Sequence, residues 1–237
     1  IIEIRQAIPS EEQLEILTNY DTATKSNVHK IACWGDSITA GHYPEYLQTL
    51  VGEKVNVYQG GASGQCSGSI AFRQGGNKLN VTQGFTIPTS NSEDVTIQVE
   101  PTSGSINNMA NNFSGRCFVN GIEGTISFTF STPTNYTVKF RRLNNGEAVS
   151  VPAGTKIVSK TADQYNDNVS IIWAGRNDVA FGYPHEVDGT VANVQAMVNN
   201  LSTDIKRFLV VSVTTATNEY EGSQYSGTYN KVLQINE

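Results

Sequence analysis

Apolar positions along this chain change their rhythm twice. Near the start, Leu14, Ile16, Leu17 and Tyr20 follow a helical period, and Gln13 stands three residues after Ser10 in the spacing of a capping box. Residues 1–28 therefore read as a lead-in helix and linker. An apolar run at 29–34 predicts a buried strand, 44–51 a helix with proline in its first turn, and 55–58 a second strand. Strand, helix, strand predicts a right-handed parallel unit.

After Gly60-Gly61-Ala62-Ser63-Gly64 the period shortens to two. Residues 66–167 are rich in Thr, Ser, Asn and Gly and carry alternating runs at 95–99, 125–130, 136–140 and 149–151. Such alternation, punctuated by turn residues, is the mark of an antiparallel sandwich or barrel. Residues 67–166 are expected to form an inserted β-sandwich-like domain, because a loop of that length without structure of its own is unusual.

The longer rhythm then returns. Residues 169–173 predict a strand, and Val191, Val194, Met197, Val198 and Leu201 mark one face of a long helix. Residues 208–213 read as another buried strand, and Tyr229, Val232 and Leu233 open a further helical pattern at the chain end. Residues 29–66 and 167–237 thus form one α/β domain, expected to be an incomplete piece of a longer polypeptide.

Composition narrows the function classes. With 237 residues the chain can bury a sizeable core, and a net charge of −6 with a pI near 5.1 offers no basic surface for nucleic acid. No apolar run approaches the roughly 20 residues needed to cross a bilayer, and the first residues show no signal peptide. Cys33, Cys66 and Cys117 fit neither a disulfide framework nor a zinc knuckle. The five Asn-x-Ser/Thr triplets, at Asn80, Asn112, Asn135, Asn168 and Asn200, are expected by chance in so Asn- and Thr-rich a chain. Compartment and oligomeric state are not written in the sequence, and a homo-oligomer is left open.

Candidate chemistry gathers at strand ends. Gly35-Asp36-Ser37 follows the first strand, and Gly175-Arg176-Asn177-Asp178 follows the strand at 169–173. Ligands of open parallel sheets collect beyond the carboxyl ends of strands, so both segments can face one cleft. The Ser37 hydroxyl can serve as a nucleophile there, or Asp36 and Ser37 can simply cap a helix. Gly64 can aim a backbone amide at a ligand, or only complete a tight turn. The Asn177 carboxamide can donate to developing negative charge, or bond its own turn. Asp178 reads as a brace rather than an acid, since no histidine adjoins it.

Taken together, these segments resemble the blocks of the SGNH (GDSL-type) hydrolase superfamily. Gly35-Asp36-Ser37 matches the first block, Gly64 the second and Gly175-Arg176-Asn177-Asp178 the third. The resemblance covers residues 29–66 and 167–237. It implies an α/β, flavodoxin-like three-layer sandwich around a parallel sheet, lacking its final strand and helix and interrupted by the all-β insert. It also implies Ser37 as nucleophile, with an oxyanion hole from the Ser37 amide, the Gly64 amide and the Asn177 side chain, and no metal or organic cofactor.

One family feature is missing. The fourth block, Asp-x-x-His, supplies the base and its orienting acid, and it has no match here; truncation before residue 238 is the expected reason. His42 and His185 lie on the expected cleft side as weaker substitutes, while His29 reads as structural. An SGNH-like domain with a β insert is similar to those of phage tail proteins and bacterial enzymes that trim acyl groups from surface polysaccharides. The expectation is therefore a serine esterase acting on O-acetyl groups of a carbohydrate, with Tyr58, Phe72, Phe85, Phe113 or Tyr165 as sugar-stacking candidates. A non-catalytic glycan-binding module of a tail or cell-surface protein, and a lipase or acyl-thioesterase, are the alternatives.

Overall fold

The computed structural model describes residues 29–109, 113–132, 135–181, 186–202 and 206–237. The helix expected within residues 1–28 lies outside the described residues, as does His185. Four parallel strands, β1 (His29–Gly35), β2 (Val55–Gly61), β11 (Val169–Trp173) and β12 (Phe208–Val210), form a sheet in the order β12-β11-β1-β2. In register, Gly35 pairs with Gly61 on one side and with Trp173 on the other. Three strands therefore end in one row, and the segments after them emerge at one rim.

Between β1 and β2 come a short helix, α1 (Ser37–Ala40), and a longer one, α2 (Tyr43–Val51), with proline in its first turn. Gly35 is required where α1 turns back over β1. A Cβ there would stand 2.0 Å from Thr39 Oγ1 and 2.6 Å from the Trp173 carbonyl oxygen.

The insert is not a sandwich. Its strands β3 (Leu79–Gln83), β5 (Val95–Pro101), β6 (Ser114–Val119), β7 (Ile122–Thr132), β8 (Asn135–Arg142) and β10 (Lys156–Ser159) close into a barrel in the order β10-β3-β5-β8-β7-β6. Closure rests on β10, whose Ile157 pairs with Leu79 of β3 on one edge and with Val119 of β6 on the other. Alternation gives a sandwich and a barrel the same sequence signature, and only closure removes the edges. Two further strands, β4 (Phe85–Ile87) and β9 (Val149–Val151), pair beside it.

The expected flavodoxin-like three-layer sandwich is likewise overturned. The chain is β-rich, its largest strand assembly is this closed antiparallel barrel, and the parallel sheet is small. At the sheet's edge, β12 covers only Phe208–Val210, and these are 46%, 56% and 44% exposed rather than buried.

A helix inside the expected all-β segment joins the two bodies. In α3 (Ser67–Gln74), Ile70 and Ala71 pack with Ala32, Trp34, Ile172 and Met197 of the α/β core. Phe72, the next residue, enters the barrel core, edge-on to Phe113 with ring centroids 5.9 Å apart. The remaining helices are α4 (Arg176–Phe181), α5 (Glu186–Asn199) and α6 (Ser226–Asn236); α5 packs on α3 and α6.

Candidate active site at the strand ends

Asp36 begins the rim. It is the N-cap of α1, its Oδ1 accepting from the Ile38 amide at 2.9 Å, and it is buried. Burial pushes its carboxyl above the ordinary range, with the Arg176 charge pulling the other way. Ser37, the first helical residue, is exposed. Its amide is among the first N–H groups of a helix, which have no acceptor within the helix. The capping role of Asp36 and an outward Ser37 hydroxyl therefore coexist.

Gly64 takes φ +75 in the turn between β2 and α3, a backbone region that favours glycine. Its neighbour Gln65 links this turn to the third segment, because its carbonyl oxygen accepts from Asn177 Nδ2 at 2.9 Å. The same Asn177 nitrogen lies 3.4 Å from Asp36 Oδ2. Segments around residues 36, 65 and 177, carried by β1, β2 and β11, thus meet through one carboxamide.

Asp178 turns inward. It is buried and accepts from the Ser67 amide at 2.8 Å, Ser67 Oγ at 2.8 Å and Asn108 Nδ2 at 2.7 Å. Burial raises its pKa, against the pull of those donors. Below the rim, burial also pushes the Cys66 thiol up, aided by the Asp178 and Asp36 charges. All three cysteines are free and buried.

Several contributors lay outside the sequence expectations. Arg176 is clamped by Glu219 through a pair of bonds, Nη1 to Oε2 at 2.8 Å and Nη2 to Oε1 at 2.6 Å. Asn193 of α5 donates to Ser67 Oγ at 3.2 Å and accepts from Asn77 Nδ2 at 3.0 Å, extending the buried polar network to the start of the barrel. Arg73 reaches both Gln65 and Gly35. In the sequence, Arg176 stands inside the Gly175-Arg176-Asn177-Asp178 segment, and Arg73 is the single charged residue between Lys54 and Lys78.

Other expected participants are placed differently. His42 is exposed at the N-cap of α2, with Nδ1 2.8 Å from Glu45 Oε2. Phe72 and Phe113 are barrel core rather than sugar platforms, and Phe85 packs half-buried against that core. Tyr58 and Tyr165 stack on each other, ring centroids 3.7 Å apart, and Tyr58 also packs on Trp34. Among the described residues no group of three or more His, Cys, Asp or Glu side chains is placed to hold a metal ion. Comparisons of the chain with family models, with curated proteins and with solved structures find no match.

Proposed function

We propose that this rim is the acyl-transfer site of a serine esterase, acting on ester groups, O-acetyl in the first instance, of a carbohydrate. The observation that carries the reading is the Asn177 carboxamide, which reaches the Ser37-bearing and Gly64-bearing segments at once. Ser37 Oγ attacks the acyl carbon, and the carbonyl oxygen acquires the charge. The Ser37 and Gly64 amides and Asn177 Nδ2 surround that oxygen as donors. Asn177 keeps its 2.9 Å bond to Gln65 as an anchor and turns its second N–H from the long contact with Asp36 to the oxyanion. A base outside the described residues takes the serine proton, as the SGNH resemblance implies, and passes it to the sugar oxygen as the ester C–O bond breaks; water then cleaves the acyl-serine and releases the acid. No metal or organic cofactor enters this scheme.

The test is hydrolysis of an aryl acetate and of an O-acetylated oligosaccharide by the full-length protein and its Ser37→Ala variant. Loss of turnover in the variant with an unchanged Tm is the expected result. Equal turnover by both proteins sinks the reading.

A further inference from the structure

Arg73 is a cation in an unusual place. It sits in the last turn of α3, with its guanidinium carbon 5.7 Å from the centre of the Trp34 ring. Burial lowers its pKa to about 10. Among the described residues no carboxylate forms an ion pair with it. The side chain is half-buried, and the partners its guanidinium holds are neutral.

Those partners are the two strand ends of the candidate site. Nε donates to Gln65 Oε1 at 2.7 Å, and Nη2 donates to the Gly35 carbonyl oxygen at 3.2 Å. Gly35 precedes Asp36-Ser37, and Gln65 follows Gly64. The Gly35 oxygen also accepts from the Ala62 amide at 3.1 Å, and the Gln65 main-chain oxygen holds Asn177. One planar fork therefore ties the nucleophile segment to the turn that carries Gly64 and anchors Asn177.

We propose that Arg73 is a positioning residue, whose guanidinium fixes the spacing between Ser37 and the oxyanion donors at Gly64 and Asn177. This rests on the esterase reading for its catalytic consequence, while the clamp itself stands on geometry. A lysine carries a compact ammonium on a flexible stem where arginine has a rigid planar fork, so it does not fix the distance between two partners in the same way. Donors that drift from the oxyanion position lose their value steeply.

The experiment compares Arg73→Met, Arg73→Lys and Gln65→Ala with wild type and Ser37→Ala in the full-length protein. Aryl acetate kinetics and hydrogen exchange of peptides covering residues 34–38 and 61–66 are both read. Arg73→Met is expected to lower kcat about tenfold or more with KM within about twofold, and Arg73→Lys to restore part of it. Gln65→Ala, which leaves α3 intact, is expected to lower kcat in the same direction. Exchange should speed up in both peptides for Arg73→Met and in the 61–66 peptide for Gln65→Ala, with β7 unchanged. Unchanged exchange at both rim peptides overturns the clamp, and wild-type kcat despite faster exchange overturns its catalytic role. If Ser37→Ala turns over like wild type, the esterase reading fails and exchange alone decides the clamp.

Discussion

Asn177 donates to the main-chain oxygen of Gln65 across 2.9 Å, although the two lie 112 residues apart in the chain. That bond fixes the carboxamide from below. With one N–H committed to Gln65, the side chain has only its other N–H, resting 3.4 Å from Asp36 Oδ2, to turn towards a ligand. A carboxamide held this way loses little freedom when it meets a developing charge.

Replacing Asn177 with alanine is therefore expected to lower kcat for ester hydrolysis by about 10²–10³, the usual loss for one oxyanion donor. KM should move little, because the interaction strengthens only as charge develops. Steady-state kinetics on an aryl acetate check both numbers. A large rise in KM with kcat unchanged would show instead that Asn177 binds the ground state.

Among the donors to Asp178 is Asn108, which belongs to the 3₁₀ turn Ile106–Met109. Asn108→Ala leaves a buried carboxylate short of a hydrogen bond. The expected cost is about 1–3 kcal/mol, read as a Tm lower by roughly 2–4 °C per kcal/mol for a protein of this size. Thermal melts at neutral pH decide it, and a wild-type Tm for Asn108→Ala would mean that Asp178 does not need the bond from Asn108.

Phe72 tests whether the two bodies fold as one. Both tryptophans, Trp34 and Trp173, lie in the parallel sheet, so their fluorescence reports that half, whereas hydrogen exchange of β7 and β8 reports the barrel. Phe72→Ala removes a side chain only 1% exposed and is expected to cost about 3–5 kcal/mol. Because α3 belongs to both cores, the two signals should shift together in urea. Earlier loss of exchange protection in β7 and β8 alone would separate the barrel from the sheet.

The sequence disclosed the elements whose apolar residues form one run or follow one period. β1, β2, β11, α2, α5 and α6 fall where apolar runs and periods place them, although α5 buries Gly189, Thr190, Asn193 and Met197 and leaves Val191 of the expected face exposed. α3 left none, since seven of its eight residues are buried, Ile70 and Ala71 against one core and Phe72 against another. Nor did strand alternation distinguish a sandwich from a barrel, because the inward residues are apolar in both. At the rim, Ser37, Gly64 and Asn177 were legible as punctuation after strands, while Arg73, Gln65 and Glu219 act through tertiary bonds that no local spacing encodes.

Glu219 offers a titration of the rim. Its hydrogen bonds from Arg176 hold its carboxyl below the ordinary value near 4.5, and its Oε2 also accepts from the Ala216 amide at 2.9 Å. The unfolded chain binds this proton at a higher pH than the folded one. The stabilisation is therefore complete above the ordinary value and is lost as pH falls through the depressed folded value. Glu219→Gln abolishes this contribution, so its Tm should fall short of wild type by a constant margin from about pH 6 to 8. Below the ordinary carboxylate range the margin should narrow, as wild type gains the proton that the variant never exchanges. Since Arg176 precedes Asn177, ester turnover should weaken in Glu219→Gln at neutral pH as well. Melts in a buffer series measure the margin, and a gap that stays the same into acid would show that the carboxylate is not the group holding Arg176.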